Sequence, residues 1–160
     1  MKINYCPICG QKTKEIVLGD EKLFYCPHCD KRYPLFNYTC VIILCINNKG
    51  NVAVIKQNYG LDRYVLVAGF VNPLESLENA VKREVKEELG LDASNIKYLE
   101  SIPMEKTENL MCAFVCNVDG FISLSSEVKE VTFVNLKKAK ELLQNATVAL
   151  KVVEDYDRKL

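Results

Sequence analysis

Two groups of residues in this 160-residue chain have the types and spacing to do chemistry. The first is Cys6, Cys9, Cys26 and Cys29, in the frame C-x2-C, sixteen residues, C-x2-C. Each C-x2-C turn aims two thiolates at one point, and two such turns complete a tetrahedron around Zn²⁺. Four thiolates close the coordination sphere, so the ion expected here is structural rather than catalytic. Gly10 follows the first pair, where such a turn often needs an unusual backbone conformation. His28, the single histidine, lies between Cys26 and Cys29 and reads as an exposed knuckle residue. Two redox dithiols are the competing reading, but two pairs at this spacing favour the metal.

The second group is Glu84, Glu87 and Glu88, inside a stretch from Ser76 to Leu89 that is rich in helix formers. Relative to Glu84 on a helical wheel, Glu88 falls near about +40° and Glu87 near about −60°. Leu77 and Ala80 share that sector, so a face that begins apolar ends as carboxylate. Three like charges at i, i+3 and i+4 repel. A hard divalent cation such as Mg²⁺ or Mn²⁺ would offset that repulsion through oxygen ligands. Arg83 precedes Glu87 by one turn and can pair with it. A solvated acidic face has the same pattern, and the wheel alone leaves both readings open.

The elements that must carry these groups are legible from texture. Ser76 is a natural N-cap and Gly90 a natural stop for the carboxylate helix. Thr39 to Ile46 reads as a strand, Asn47 to Asn51 as a turn, and Val52 to Lys56 as a second strand. Tyr64 to Val67 reads as a third strand, with a loop opening at Ala68 and Gly69 and running through Asn72-Pro73. Ile96 to Ile102, Leu110 to Val118 and Val131 to Val134 read as later strands, and Leu136 to Leu143 and Val148 to Tyr156 as short helices. Cys40, Cys45, Cys112 and Cys116 sit among β-formers and are expected in the core. The polar stretch between the two cysteine pairs could hardly fold without an ion. Residues 1–36 are therefore expected to form a zinc ribbon and residues 37–160 a separate α/β domain.

Composition narrows the function class. Lysine plus arginine and aspartate plus glutamate number 21 each, so no global charge draws the chain toward nucleic acid or an anionic membrane. Met1 to Tyr5 has no apolar run of a signal peptide, and Cys40 to Ile46 is too short to span a bilayer. A soluble, cytoplasmic protein with no membrane partner is expected.

The stretch Gly69 to Leu91 resembles the Nudix box, G-x5-E-x7-R-E-U-x-E-E-x-G-U with U aliphatic, at every defined position. The resemblance implies an α/β/α sandwich with a mixed sheet, preceded here by the ribbon. It implies a hydrolase of phosphoric anhydride bonds that uses Mg²⁺ or Mn²⁺. Glu84 and Glu88 match the family's principal metal ligands, Glu87 an assisting ligand, and the Ala68 carbonyl a common further one. Arg83 matches the residue that orients the glutamates, Glu75 a structural ion-pair partner, and Gly69 and Gly90 the glycines that bound the box. A glutamate ahead of the strand Val131 to Val134 completes the metal shell in related enzymes. Glu127 is favoured for it, with Glu130 close behind.

A four-cysteine ribbon before such a domain resembles the NADH pyrophosphatase family, as does Leu66 to Val71. That family carries S-Q-P-W-P-F-P-x-S-L-M downstream. Here Ser101, Pro103, Leu110 and Met111 keep register, while the aromatic–proline centre is replaced. The expected substrate is a small nucleoside diphosphate derivative: an NAD(H)-like dinucleotide, ADP-ribose or a nucleotide sugar, with dinucleoside polyphosphates and nucleoside triphosphates also open. With His28 in the ribbon, the base must be a carboxylate or a metal-bound hydroxide. A homodimer is compatible with the resemblance. The competing class is a non-catalytic scaffold whose ribbon binds protein or nucleic acid. Isoprenyl diphosphate isomerisation would want a loop cysteine, whereas Cys112 and Cys116 fall in an expected strand.

Overall fold

The computed structural model describes residues 2–160 and divides into two compact units, Met1–Tyr38 and Thr39–Leu160. The first unit is a three-stranded antiparallel sheet of β1 (Lys14–Leu18), β2 (Glu21–Cys26) and β3 (Lys31–Pro34), in that order. The polar stretch between the cysteine pairs thus carries two strands that its composition did not announce. Its buried content is small: Leu23 and Phe24 on β2, together with Cys6 and Cys26. The first cysteine turn closes through a hydrogen bond from Gly10 N–H to the Cys6 carbonyl, 2.9 Å, with Gly10 at φ +71°. That left-handed conformation is open to glycine at no steric cost. Asp30 follows the second pair at φ +50°, and its carboxylate accepts a hydrogen bond from Tyr25 at 3.0 Å. Aspartate is one of the few side chains that tolerate this region.

The second unit is built on a seven-stranded sheet. Its strands are β4 (Tyr38–Ile46), β5 (Val52–Gln57), β6 (Tyr64–Val65), β7 (Val67–Phe70), β8 (Asp92–Met104), β9 (Asn109–Asp119) and β10 (Val128–Val134). The main path runs β10-β5-β4-β9-β8, with β6 paired to β5 and β7 paired to β4. Side chains alternate between faces along a strand, and here both faces are covered. Val41, Ile43 and Cys45 of β4 face one core, shared with Ala80, Val81, Val85 and Leu89 of helix α1 (Leu77–Leu89). Ile42 and Leu44 face the other, shared with α2 (Leu136–Leu142) and α3 (Thr147–Asp157) through Ala139, Ala149, Val152 and Val153. The result is an α/β/α sandwich, and it explains why β4 reads as an unbroken apolar run. Cys45 and Cys116 lie 4.0 Å apart inside the first core.

Three elements of the second unit differ from the sequence expectation; one is β10, which begins at Val128 rather than Val131 and so takes in Glu130. Val67–Phe70 is a strand rather than the start of a loop, because Ala68 and Gly69 pair with Ile42 and Val41 of β4. Edge pairing supplies hydrogen bonds that a weak local β-propensity could not predict. The strand expected from Ile96 begins at Asp92 and runs 13 residues, held in register by β9. No described helix is long and apolar enough to cross a membrane.

Candidate active site and candidate zinc centre

Helix α1 is fixed at both ends. Ser76 accepts a hydrogen bond from the Asn79 N–H at 3.2 Å, and Gly90 stops the helix at φ +74°. A Cβ at Gly90 would come within 2.8 Å of Ser123, whose N–H donates to the Leu89 carbonyl at 2.9 Å. The backbone must bend left here and the segment between β9 and β10 must approach it, so glycine satisfies two demands at once.

The sector that is apolar at Leu77 and Ala80 continues inward as Glu84 and Glu88, only 8% and 4% exposed. Buried carboxylates are costly unless compensated. Burial first, and then the charges of Glu84 and Glu127, push Glu88 up to about 8 against a hydrogen bond from the Ala68 backbone. Burial raises Glu84 too, while Arg83 pulls it down. Glu88 Oε2 is buried and has no hydrogen-bond partner among the described residues. A Cβ placed on Gly69 would overlap the Glu84 carboxylate outright, so the bare backbone of β7 is what leaves room for it.

Arg83 ties the cluster together. Its guanidinium donates to both oxygens of Glu75, Nε to Oε1 at 2.8 Å and one Nη to Oε2 at 2.9 Å. The same Nη donates to the Phe70 carbonyl at 2.8 Å. The other Nη reaches Glu84 at 2.5 Å and Glu87 at 3.0 Å. A planar fork with five donors is the side chain that can serve this many acceptors. Glu75 also accepts from the Asn72 N–H at 2.9 Å, and with Arg83 this holds its carboxyl down at about 2. The loop before α1, the end of β7 and the helix itself are thereby fixed to one cation.

Glu127 lies in the turn before β10, exposed, and its charge acts on both Glu84 and Glu88. Glu130 is engaged elsewhere, accepting a hydrogen bond from the Tyr64 hydroxyl at 2.6 Å. The donor set is all oxygen, one buried oxygen lacks a partner, and the cluster carries more negative charge than Arg83 offsets. Such a set fits a hard divalent cation of the Mg²⁺ or Mn²⁺ kind.

A recess of about 310 Å³ lies on the α2/α3 side of the sheet, lined by Ile42, Gln57, Arg63, Ala68, Met104 and the start of α3. Ala68 belongs to both the recess and the carboxylate edge. The stretch Ser101 to Met111 forms the β8–β9 hairpin, with Ser101 opposite Cys112 and Pro103 opposite Leu110. Met104 thus stands where the aromatic–proline pattern has its tryptophan, and Lys106 where it has its phenylalanine. Gln57, Tyr59 and Arg63 carry no spacing signal in the sequence; only the pairing of β5 with β6 and β10 brings their loop to this place.

In the first unit, the ligand atoms of Cys6, Cys9, Cys26 and Cys29 all lie within 4.8 Å of one another. Cys6 and Cys29 are 4.0 Å apart and Cys9 and Cys26 are 3.6 Å apart. Tetrahedral Zn–S bonds of about 2.3 Å place sulfurs roughly 3.8 Å apart, so the arrangement fits Zn²⁺. Tyr33 lies 3.1 Å from the Cys6 sulfur and is the main reason that thiol is drawn down to about 6.

Comparison with known proteins accords with both units. The profile of the NUDIX domain matches residues 37–156, and the chain belongs to that family. A second profile, described as a zinc finger found in FPG and IleRS, matches residues 6–32. The NAD-capped RNA hydrolase NudC of Escherichia coli O9:H4 is 30% identical over 153 residues, 94% of this chain and 59% of that protein. The protein of the same name from Vibrio atlanticus is 27% identical over 156 residues, 96% of this chain and 57% of its own length. The chain thus spans a little under three fifths of the length of these relatives. Among solved structures, a NUDIX hydrolase from Nitrosomonas europaea matches with a TM-score of 0.68 at 22% identity, covering 83% of this chain and 78% of that one. The NUDIX domain of Shewanella oneidensis NrtR, complexed with ADP ribose, matches at 0.67 and 16% identity, covering 84% and 93%. These two likenesses are of fold.

Proposed function

We propose that the chain is a divalent-metal-dependent pyrophosphohydrolase that cleaves the diphosphate linkage of a nucleoside diphosphate derivative. The observation that carries this reading is the pair of buried carboxylates, Glu84 set against Gly69 and Glu88 with its Oε2 unpartnered. Glu84, Glu88, Glu87, Glu127 and the Ala68 carbonyl are assigned as the residues that would hold Mg²⁺ or Mn²⁺. The bound ions would neutralise the diphosphate and lower the pKa of water.

The chain's own residues do the rest. Arg83 keeps Glu84 and Glu87 oriented and locks the box loop to the helix through Glu75. Burial holds a proton on Glu88 near neutral pH until positive charge arrives beside it, so ligand binding and ionisation are linked. Glu127 stands at the exposed side of the cluster, where a carboxylate can accept the proton of an attacking water. The recess that shares Ala68 with the cluster takes the nucleoside, and Arg63 and Met104 contact it.

NAD(H)-like dinucleotides, ADP-ribose and nucleotide sugars are the substrates proposed, and the relatives' name adds NAD-capped RNA. Met104 in place of an aromatic residue favours a recess that grips by apolar contact rather than by ring stacking. Cys6, Cys9, Cys26 and Cys29 are assigned to a structural Zn²⁺. Reduced thiolates of this kind fit a cytoplasmic setting.

Purified protein with Mg²⁺ or Mn²⁺ would be offered NADH, ADP-ribose, nucleotide sugars, dinucleoside polyphosphates, nucleoside triphosphates and NAD-capped RNA, with products resolved by chromatography. One class should turn over, and Glu84→Gln should abolish it. Binding of metal without turnover of any class would move the reading to a scaffold.

A further inference from the structure

The loop after β5 carries a feature that the box does not account for. Gln57, the last residue of β5, lies opposite Val128 of β10 and lines the 310 Å³ recess. Asn58 is clamped to the turn that holds Glu127. Its N–H donates to the Glu127 carbonyl at 2.8 Å, and its side-chain amide to the Ser126 carbonyl at 2.7 Å. The next residue, Tyr59, is therefore held beside Glu127 and is more than half exposed.

The Tyr59 hydroxyl accepts a hydrogen bond from the Gln57 side-chain amide at 2.9 Å. A phenol oxygen that accepts from an amide keeps its own proton free to donate. Its surroundings are anionic: after partial burial, the charges of Glu127, Glu88 and Glu84 push the phenol up. At neutral pH it is thus a neutral donor at the edge of a carboxylate cluster. A second recess of about 230 Å³ is lined by Gln57, Tyr59, Asp62 and Lys129, so Gln57 borders both cavities.

We infer that Tyr59 is a substrate-contacting residue that donates its hydroxyl to a diphosphate oxygen, and that Gln57 is the positioning residue that aims it. The inference rests on the hydrolase reading and extends it to residues outside the box. Tyr59 recognises the diphosphate itself, not the nucleoside. An exposed phenol can swing to its acceptor, and the Gln57 amide limits that swing, so little ordering is left to occur on binding.

The test uses Mn²⁺ with methylenediphosphonate, a diphosphate that cannot be hydrolysed and has no nucleoside. Calorimetric affinity would be measured for the full chain and for Tyr59→Phe, Gln57→Leu and their double variant, with melting temperatures confirming that each folds. Loss of a hydrogen bond to a charged group should weaken binding roughly 10- to 100-fold in Tyr59→Phe. Gln57→Leu should weaken it less, and should have no further effect once Tyr59 is Phe. Unchanged affinity in Tyr59→Phe overturns the assignment while leaving the hydrolase reading intact, provided Glu84→Gln still loses the probe. Additive losses in the double variant overturn the role of Gln57. No binding by the unaltered protein overturns the hydrolase reading and this inference with it.

Discussion

At the scale of single residues, the site is a problem of negative charge held out of water. Glu88 carries the largest consequence. Its carboxyl is raised to about 8 by burial, so the folded state keeps its proton while the unfolded chain, near the ordinary carboxylate value, has lost it. That contribution to stability is present below about 4.5 and is lost as pH rises through about 8. Glu88→Gln should therefore melt higher than the unaltered protein in chelator at pH 9, by roughly 2–4 kcal/mol of stability, and the gap should close near pH 5. Denaturant titrations at the two pH values would check it; equal stability at pH 9 would mean that the carboxyl is not desolvated. Glu75 has the opposite sign. Arg83 holds it at about 2, so its contribution is present above the unfolded value and lost as pH falls toward about 2. The melting-temperature deficit of Glu75→Gln should shrink over that acid window; a deficit independent of pH would contradict the pairing. The box residues were legible because their gaps are fixed by one helix and one loop. Gln57 and Tyr59 were not, because what makes them interesting is a register that pairs Gln57 with Val128, 71 residues on in sequence.

At the scale of elements, the helix ends and the neighbouring strand decide the geometry. Ser76 and Gly90 could be read as cap and stop from their types alone, since capping chemistry is local. The strand Val67–Phe70 could not, because Ala68 and Gly69 are poor β-formers that pair only because β4 offers an edge. That pairing places Gly69 against Glu84. Gly69→Ala should leave the backbone conformation allowed yet force the Glu84 carboxylate aside. Turnover should fall at least about 100-fold, since a displacement of about 1 Å is enough for that, with a smaller cost in stability. Full activity in Gly69→Ala would show that Glu84 need not lie against β7.

At the scale of the whole molecule, the two units rest on different physics. Residues 39–160 bury two apolar cores on either side of one sheet. The first unit buries little beyond Leu23, Phe24 and cysteine sulfur, and so small a core needs an ion. The cysteine spacing made this legible, although the three strands between and after the pairs gave no clear periodicity. Metal analysis should find one tightly held zinc per chain. A strong chelator, or Cys26→Ser, should unfold the ribbon while the α/β unit keeps its own melting transition, as two-dimensional NMR would resolve. Persistence of the ribbon signals without zinc would refute a metal-dependent fold.

On the reading proposed above, the buried carboxylates of α1 make this chain a diphosphate hydrolase. That reading is tested most directly by ³¹P NMR of the best substrate in the presence of Mg²⁺ or Mn²⁺, with Glu84→Gln and Glu88→Gln run beside the unaltered protein. The diphosphate resonances should be replaced by monophosphate resonances, and both variants, though folded, should be slower by at least about 100-fold, several kcal/mol of barrier. Turnover by the folded variants at the unaltered rate would contradict the reading.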